Sequence, residues 1–252
     1  MTFTLYNAPQ STCSQRVRFV LNAKALPFDE VKLDLLEGDQ LKPDYLKLNP
    51  NGVVPTLVHD GAAVIDSAVI MEYLEEVEPP QFTPEAPRER AAMRSLMRFI
   101  DEMPTPAVRV PTFNIAFLPR FQAMSEAEFI AFANSKPLRK EFMLRMGQKG
   151  FPDSEMKEAM DRLARTVVRM DDAIAASGGP WMMGKKLSLA DIAVMPVMVR
   201  LADLKLDGMW ADRPAVVRWY QMIKAHPAFR PTYYFGSLLT EKFPWLGEKL
   251  AG

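Results

Sequence analysis

Short runs of alternating apolar and polar positions in the first part of the chain predict β-strands. They occupy residues 2–6, 28–33, 56–58 and 63–65. Residues 14–24 and 66–76 instead repeat their apolar positions at helical spacing, so the predicted order is β-α-β-(α)-β-β-α. The first two strands should be parallel, because a helical crossover does not close an antiparallel hairpin. The His-Asp-Gly turn before the last strand predicts an antiparallel edge, with Gly61 at a positive φ.

The second part of the chain predicts helices throughout. Helical spacing is clear in residues 88–103, 156–174 and 213–225, and the middle segment carries one apolar stripe, which is typical of a face turned towards a core. Farther along, the sequence Gly-Lys-Lys-Leu-Ser-Leu-Ala-Asp precedes another apolar run. Ser188 and Asp191 have the spacing of a capping box there, which predicts a buried helix start.

A proline-rich segment between the two parts predicts a domain boundary. Proline removes backbone donors and disfavours helix in the residue before it. The prolines of this segment are Pro79, Pro80, Pro84 and Pro87. We therefore expect an α/β domain in residues 1–80, a linker in 81–87 and an all-α domain in 88–252.

Composition excludes several classes of function. The chain has 252 residues with 31 basic and 31 acidic side chains, so no global field attracts nucleic acid or an anionic membrane. It has one cysteine and two distant histidines, His59 and His226, which argues against disulfides and against a metal centre. No apolar run approaches the ~20 residues of a membrane helix, and the start lacks the features of a signal peptide. We expect a cytoplasmic protein without a metal.

Small polar side chains follow the first predicted strand, where the first helix begins. They are Ser11, Thr12, Cys13 and Ser14. A helix N-terminus presents unpaired N–H groups and a partial positive charge, so it stabilises an anion, a thiolate in particular. The alternative is that these residues only cap the helix.

Two further segments fit parts of a peptide ligand. Pro55 directly before a strand suits a cis peptide bond, which would leave the N–H and C=O of Val54 free to pair with an extended peptide. A trans proline starting an edge strand is the alternative. Asp66 can bind an ammonium group, and Ser67 with helix N–H groups can bind a carboxylate, although helix capping also explains both. Together the three segments suggest a site for a tripeptide.

These motifs resemble those of the cytosolic glutathione transferases, over nearly the whole chain. The segment LYNAPQSTCSQRVR at 5–18 is similar to the zeta-class active-site segment, and NPNGVVPTL at 49–57 is similar to the cis-proline segment. IDSAVI at 65–70 occupies the position of the Glu/Gln-Ser motif, and GKKLSLAD at 184–191 matches the capping-box signature. Residues 124–152 resemble the bacterial lignin β-etherases, which use glutathione to cleave aryl ethers. The resemblance implies a thioredoxin-like α/β domain followed by an all-α domain, the glutathione transferase fold.

The resemblance also implies roles for individual residues. Ser11 would donate a hydrogen bond to the glutathione thiolate, with Thr12 and Ser14 as alternates, whereas Cys13 could form a mixed disulfide with glutathione. The residues expected to bind the rest of glutathione are Val54, Pro55, Asp66, Ser67 and Lys42, with Lys47 as an alternative to Lys42. The pocket for the second substrate is expected to include Phe113, Phe117, Tyr233 and Tyr234.

The implied function is that of a glutathione transferase of the general (EC 2.5.1.18-like) kind, with a role in detoxification. It would activate the glutathione thiolate for attack on an apolar, aromatic electrophile, β-aryl ether cleavage included. A zeta-type glutathione-dependent isomerase and a binding protein without turnover are the alternatives. The resemblance further implies a homodimer whose small-molecule partners are glutathione and the electrophile.

Overall fold

A small mixed sheet forms the first part of the computed structural model, which describes residues 2–79 and 81–251. Its strands are β1 (Phe3–Asn7), β2 (Phe28–Lys32), β3 (Thr56–His59) and β4 (Ala62–Ile65). They are ordered β2-β1-β3-β4, with β1 and β2 parallel and β3 antiparallel to both of its neighbours. Gly61 has a φ of 86° in the turn between β3 and β4. The parallel pair and the antiparallel edge predicted from the sequence are confirmed.

Three helices accompany this sheet: α1 (Thr12–Ala23), α2 (Pro43–Leu48) and α3 (Ser67–Val77). Helix α1 is the most deeply buried of the three, because polar and apolar side chains on both of its faces are covered. It packs against α3 in the same part of the chain and against α11 (Leu189–Asp203) and α13 (Phe229–Thr232) in the second part. The predicted helices at 14–24 and 66–76 are confirmed, with ends shifted by one or two residues.

The second part of the described chain is helical. Its helices are α4 (Pro87–Glu102), α5 (Pro104–Ala107), α6 (Arg109–Thr112), α7 (Leu118–Gln122), α8 (Glu126–Asn134), α9 (Lys140–Met146), α10 (Asp153–Ser177), α11 (Leu189–Asp203), α12 (Pro214–Ala225), α13 (Phe229–Thr232), α14 (Leu239–Lys242) and α15 (Pro244–Ala251). A π-helical turn, Phe113–Phe117, joins α6 to α7. The predicted apolar stripe of α10 faces the core through Leu163, Val167, Met170 and Ile174.

Hydrogen bonds hold residues 81 and 82, which lie between the two parts, to α3 on one side and to α11 on the other. Glu75 of α3 is buried and accepts hydrogen bonds from the backbone N–H groups of Gln81 and Phe82. The carbonyl of Phe82 accepts from the N–H of Leu189, at the start of α11. Pro80, the last residue of the predicted first domain, lies outside the described residues, as do Met1 and Gly252. The division at residues 80 and 88 stays a prediction.

The capping box predicted before α11 is present and extends farther than its own helix. The Asp191 carboxylate accepts from the N–H and hydroxyl of Ser188, the latter at 2.6 Å. It also accepts from the N–H of Met182 at 3.0 Å and from the indole N–H of Trp219 in α12 at 2.8 Å. Asp191 is fully buried, so this one carboxylate joins a loop and two helices.

We predict that Asp191→Asn lowers the free energy of unfolding by about 2–4 kcal/mol, because an amide offers one acceptor to four donors and each orphaned donor costs about 1–3 kcal/mol. Chemical denaturation measures the change. The matched control is Asp161→Asn on the exposed face of α10, where loss of the i,i+4 ion pair with Lys157 should cost no more than about 0.5 kcal/mol. Equal losses in both variants would contradict the role given to Asp191.

Candidate functional site

A cavity of about 230 Å³ lies between the loops of the sheet and the helices of the second part. The sheet side contributes residues 10–13 before and in α1, together with Gln40 and the 52–54 loop before β3. The helical side contributes aromatic and basic residues from α6, the π-helical turn, α9 and the segment before it. Both parts of the chain therefore build the site, and apolar surface dominates its lining.

The N-terminus of α1 opens into this cavity. Ser11, Thr12 and Cys13 line it and are half-buried. Ser11 is the N-cap, and its Oγ accepts a hydrogen bond from the N–H of Ser14 at 3.3 Å. Ser14 is fully buried, and its Oγ accepts from the N–H of Ala8. The predicted cluster thus divides into three residues that reach the cavity and one, Ser14, that braces the loop behind it.

The segment before β3 presents an unpaired backbone. The Val54–Pro55 peptide bond is cis, as its motif predicts. The carbonyl of Val53 accepts from the Tyr45 hydroxyl at 2.5 Å and from the Asn49 amide at 2.9 Å, so the loop is held from below. Within residues 2–79 and 81–251, no hydrogen bond involves the N–H or C=O of Val54. Its two backbone groups are thus available to an extended peptide.

Asp66 and Ser67 stand at the start of α3, outside the lining of the cavity. Asp66 is exposed and has a φ of 72°, a strained conformation for a residue with a side chain. Its carboxylate accepts from the N–H groups of Ala68 and Val69, so it caps the helix. The Ser67 hydroxyl is buried and accepts from Arg16 at 3.4 Å. Asp66 therefore caps α3, as the alternative interpretation expected, and its strained backbone also fits a residue of a binding site.

Lys42 does not line the cavity. Its ammonium group is 70% exposed and forms a 2.7 Å ion pair with Asp39, which raises the pKa of Lys42. Lys47 is paired in the same way with Asp44. Gln40, two residues before Lys42, lies in the cavity instead and keeps a buried Oε1 without a hydrogen-bond partner among the described residues. The sequence alone does not point to Gln40, because an uncharged amide is a weak signal for a carboxylate ligand.

Of the four aromatic residues expected in the pocket, the structure places the two phenylalanines in the cavity lining and the two tyrosines outside it. Phe113 and Phe117 line the cavity, 5.1 Å apart between ring centroids. Tyr233 and Tyr234 lie outside that lining. Burial raises the pKa of Tyr233, whereas the Tyr234 hydroxyl donates to Glu30 and its ring lies under Arg18. Tyr234 therefore fastens the tail to α1 and β2, and the pocket is built without it.

Four basic side chains also line the cavity, and the sequence analysis did not single them out. They are Arg109, Lys136, Arg139 and Arg200. Arg200 donates to the carbonyl of Gln10 at 2.5 Å, so it supports the loop that leads to α1. The other three belong to α6 and to the segment between α8 and α9. Only the tertiary structure brings these side chains together, and no local sequence motif predicts it.

Among the described residues, no three His, Cys, Asp or Glu side chains are grouped closely enough to hold a metal ion. No helix in the described part of the chain has the length and apolar character needed to cross a membrane.

Individual relatives share both the sequence and the fold of this chain. Protein LigF of Sphingobium sp. is 28% identical over 244 residues, covering 92% of this chain and 93% of its own. The crystal structure of the β-etherase LigF superposes with a TM-score of 0.82 at 29% identity, covering 92% of this chain and 99% of its own. FtsZ-localized protein A of Caulobacter vibrioides is 27% identical, covering 96% of this chain and 93% of its own.

A structure with bound ligands is also similar. The maleylacetoacetate isomerase of Methylobacterium extorquens AM1, crystallised with malonate and glutathione, has a TM-score of 0.66 and 28% identity, covering 91% of this chain and 95% of its own. Residues 10–77 match the family model of the glutathione S-transferase N-terminal domain, and residues 141–230 match that of the C-terminal domain. Together with the mixed sheet, the helical second part and the cavity between them, these matches identify the chain as a member of the glutathione S-transferase family.

Proposed function

We propose that this protein is a glutathione transferase that activates the glutathione thiol at the N-terminus of α1 for attack on an apolar, aromatic electrophile. One observation carries the proposal. The hydroxyl-bearing start of α1, the free backbone of Val54 and an aromatic wall face one cavity. A thiolate site, a peptide-binding edge and an apolar pocket are the three parts that such a reaction needs.

Glutathione would extend from α3 across Val54 towards α2. The backbone groups of Val54 would pair with the cysteinyl residue, with Pro55 fixing the turn. The γ-glutamyl end would meet the N-terminus of α3 at Asp66 and Ser67. We assign the glycyl carboxylate to Gln40 and Lys136 in place of Lys42, because these two residues line the cavity and Lys42 does not. Pro137, next to Lys136, packs against the 52–54 loop.

Ser11 is the proposed donor to the sulfur. Because its Oγ already accepts from the Ser14 N–H, its own hydrogen is free to be donated to a thiolate. A charge-assisted hydrogen bond at a helix N-terminus favours the ionised thiol. Thr12 is the alternate donor, and a mixed disulfide at Cys13 is the alternative chemistry. Ser14 is the weakest candidate, because its hydroxyl is buried behind the loop.

The thiolate would then attack the electrophilic carbon of the second substrate. A carbon–sulfur bond forms, and the bond to the leaving group breaks with its electron pair. With a chlorinated arene the leaving group is chloride. With a β-aryl ether, the substrate class suggested by the etherase relative, it is a phenolate. The sulfur needs its negative charge at this step, so lowering the thiol pKa accelerates the reaction at neutral pH.

We predict that the protein binds glutathione without any metal. Calorimetry after treatment with a chelator should give the same affinity as before treatment, because peptide and helix N–H groups supply the contacts. A folded sample that shows no heat of binding with millimolar glutathione would contradict the proposed function, although not the fold.

We predict that Ser11→Ala slows turnover of a chlorinated arene by roughly 10- to 150-fold at neutral pH, since a hydrogen bond to a charged group is worth ~1.5–3 kcal/mol. Glutathione affinity should change much less, because the contacts to the peptide remain. The loss should shrink as the pH rises, because solvent then supplies the thiolate. The rate is measured by steady-state kinetics over a pH series.

Ser11→Thr is the matched control, since it keeps both the cap and the hydroxyl and should retain most of the rate. Ser14→Ala should lower the stability of the fold, because it removes the acceptor for the Ala8 N–H, and should not act on the sulfur directly. Loss of activity in Cys13→Ala with full activity in Ser11→Ala would contradict the assignment and indicate mixed-disulfide chemistry.

The isomerase alternative is favoured by the zeta-like loop and by the similarity to a maleylacetoacetate isomerase. Turnover of cis-dienoic acids with no turnover of chlorinated arenes would select it. The non-catalytic alternative gains support from the similarity to FtsZ-localized protein A. Glutathione binding without turnover of either substrate class would select that one.

We further propose a homodimer and a cytoplasmic location. The location is supported by the single cysteine in 252 residues, which suits a reducing compartment. The dimer is supported by family resemblance, and an interface of this kind buries at least ~1,200 Å². Light scattering at micromolar concentration should give twice the 28.5 kDa mass of the chain, and a monomer mass would contradict the proposal.

A further inference from the structure

Every charged side chain in the cavity lining is basic. Four cationic side chains line the cavity, and none of its lining residues is an Asp or a Glu. The whole chain is neutral, with 31 charges of each sign, so the excess is local. An apolar cavity with desolvated cations has a strong positive potential, because the local dielectric screens charge poorly.

Two of these cations, Arg109 and Arg139, have no protein partner. Neither guanidinium forms an ion pair or donates a hydrogen bond within residues 2–79 and 81–251. The neighbouring buried arginines behave differently: Arg16 pairs with Asp101, and Arg200 donates to a carbonyl. Both side chains are half-buried in a mainly apolar cavity and lack a counter-charge, which is costly, and a fold that only needed bulk would place an apolar side chain there.

Arg109 and Arg139 line the same cavity as Ser11, where the sulfur would act. Desolvation and then the like charge of Arg139 lower the pKa of Arg109 to about 10, so it stays charged at neutral pH. Desolvation lowers the pKa of Arg139 as well. A negative charge on the Cys13 thiol, at the start of α1, would raise the pKa of both arginines. The pair thus lines the same cavity as the N-terminus of α1.

Lys136 occupies a separate part of the same wall. It is 8% exposed, its Nζ has no partner among the described residues, and it sits 4.1 Å from the centre of the Phe132 ring. Desolvation lowers its pKa to about 8. With Gln40 it supplies the position for the glycyl carboxylate in the proposed function. The arginine pair is then left over, after every charged group of glutathione has been given a partner.

We propose that the second substrate carries a carboxylate, which binds to Arg109 and Arg139 while its apolar body lies against Phe113 and Phe142. The guanidinium fork matches the two oxygens of a carboxylate, and two such groups bind it from different sides. The two rings contact each other at 5.0 Å and form the adjacent apolar wall. This inference rests on the proposed function, because it places glutathione in the other half of the cavity.

The pair also solves an electrostatic problem of the reaction. A thiolate and a carboxylate in one small cavity repel each other, which would weaken the binding of an anionic electrophile. The two guanidinium groups offset both charges, and an anion bound by them relieves their own repulsion. The site should therefore favour an acid over its uncharged ester, against the ordinary preference of an apolar pocket.

The test uses binding of preformed conjugates, so it does not depend on turnover. Calorimetry compares the 2-, 3- and 4-isomers of S-(carboxybenzyl)glutathione with their methyl esters, and free glutathione is measured in the same samples. At least one acid should bind the wild-type chain ~10-fold or more tightly than its ester, as expected for charge-assisted hydrogen bonds. Arg109→Gln and Arg139→Gln should each bring that ratio close to one. Arg139→Lys should keep part of it.

The controls separate this inference from the proposed function. Arg98→Gln removes an exposed charge on α4 and should leave the acid-to-ester ratio unchanged. Free glutathione should bind Arg109→Gln and Arg139→Gln within about twofold of the wild type. Equal binding of acids and esters by the wild type would overturn the inference while glutathione binding still supported the function.

Two further outcomes would also overturn it. If both glutamine variants lose affinity for glutathione itself, the anion on the pair is the glycyl carboxylate and not one of the second substrate. If the wild type binds no glutathione, the proposed function fails and this inference fails with it.

Discussion

A buried arginine in α1 holds the two parts of the chain in the relative position on which the cavity depends. Arg16 is 2% exposed and donates to the Ala193 carbonyl of α11 at 2.7 Å, to Asp101 of α4 at 2.6 Å and to Thr105 of α5 at 2.7 Å. It is a fully desolvated charge with good partners, so removing any of them would leave a costly orphan. The start of α1 and the helical wall are thereby fixed to each other.

Five buried or half-buried basic residues fall into two groups, according to whether acceptors of the protein itself form hydrogen bonds with them. Arg16 and Arg18 are buried in the interior and donate to several protein acceptors, among them Asp101 for Arg16 and Asn7 for Arg18. Lys136, which is buried, and Arg109 and Arg139, which are half-buried, line the cavity wall and lack such acceptors in the described chain. The first group stabilises the fold. The second group would serve ligands: Lys136 the glycyl carboxylate of glutathione, and the two arginines an anionic second substrate.

Local patterns in the sequence predict most of the fold. The order of strands and helices along the chain, the hairpin at Gly61 and the capping box of Asp191 all depend on residues close together in the chain, and the helix between the first two strands predicts their parallel pairing. The same holds for the start of α1, whose small polar residues reach the cavity as expected, except for Ser14. Lys42 illustrates the limit. Its sequence position suits a carboxylate ligand, yet Asp39 lies one helical turn away and pairs with it.

Residues that are distant in the sequence account for what could not be predicted. Arg109 and Arg139 are separated by two helices and meet only when those helices pack. Tyr234 is a good candidate for an aromatic pocket by composition, but Arg18 and Glu30 bind it elsewhere. Such outcomes depend on which of several compatible partners the folded chain brings within reach, and spacing in the sequence carries no such information.

The central claim is that this cavity binds glutathione as its thiolate at the N-terminus of α1. Titration of the ultraviolet absorbance of the thiolate, in the complex and in free glutathione, tests it most directly. One hydrogen bond to the charged sulfur should lower the pKa of the bound thiol by about one to two units, so the absorbance should appear at a correspondingly lower pH. A bound thiol that titrates at the same pH as free glutathione would contradict the account.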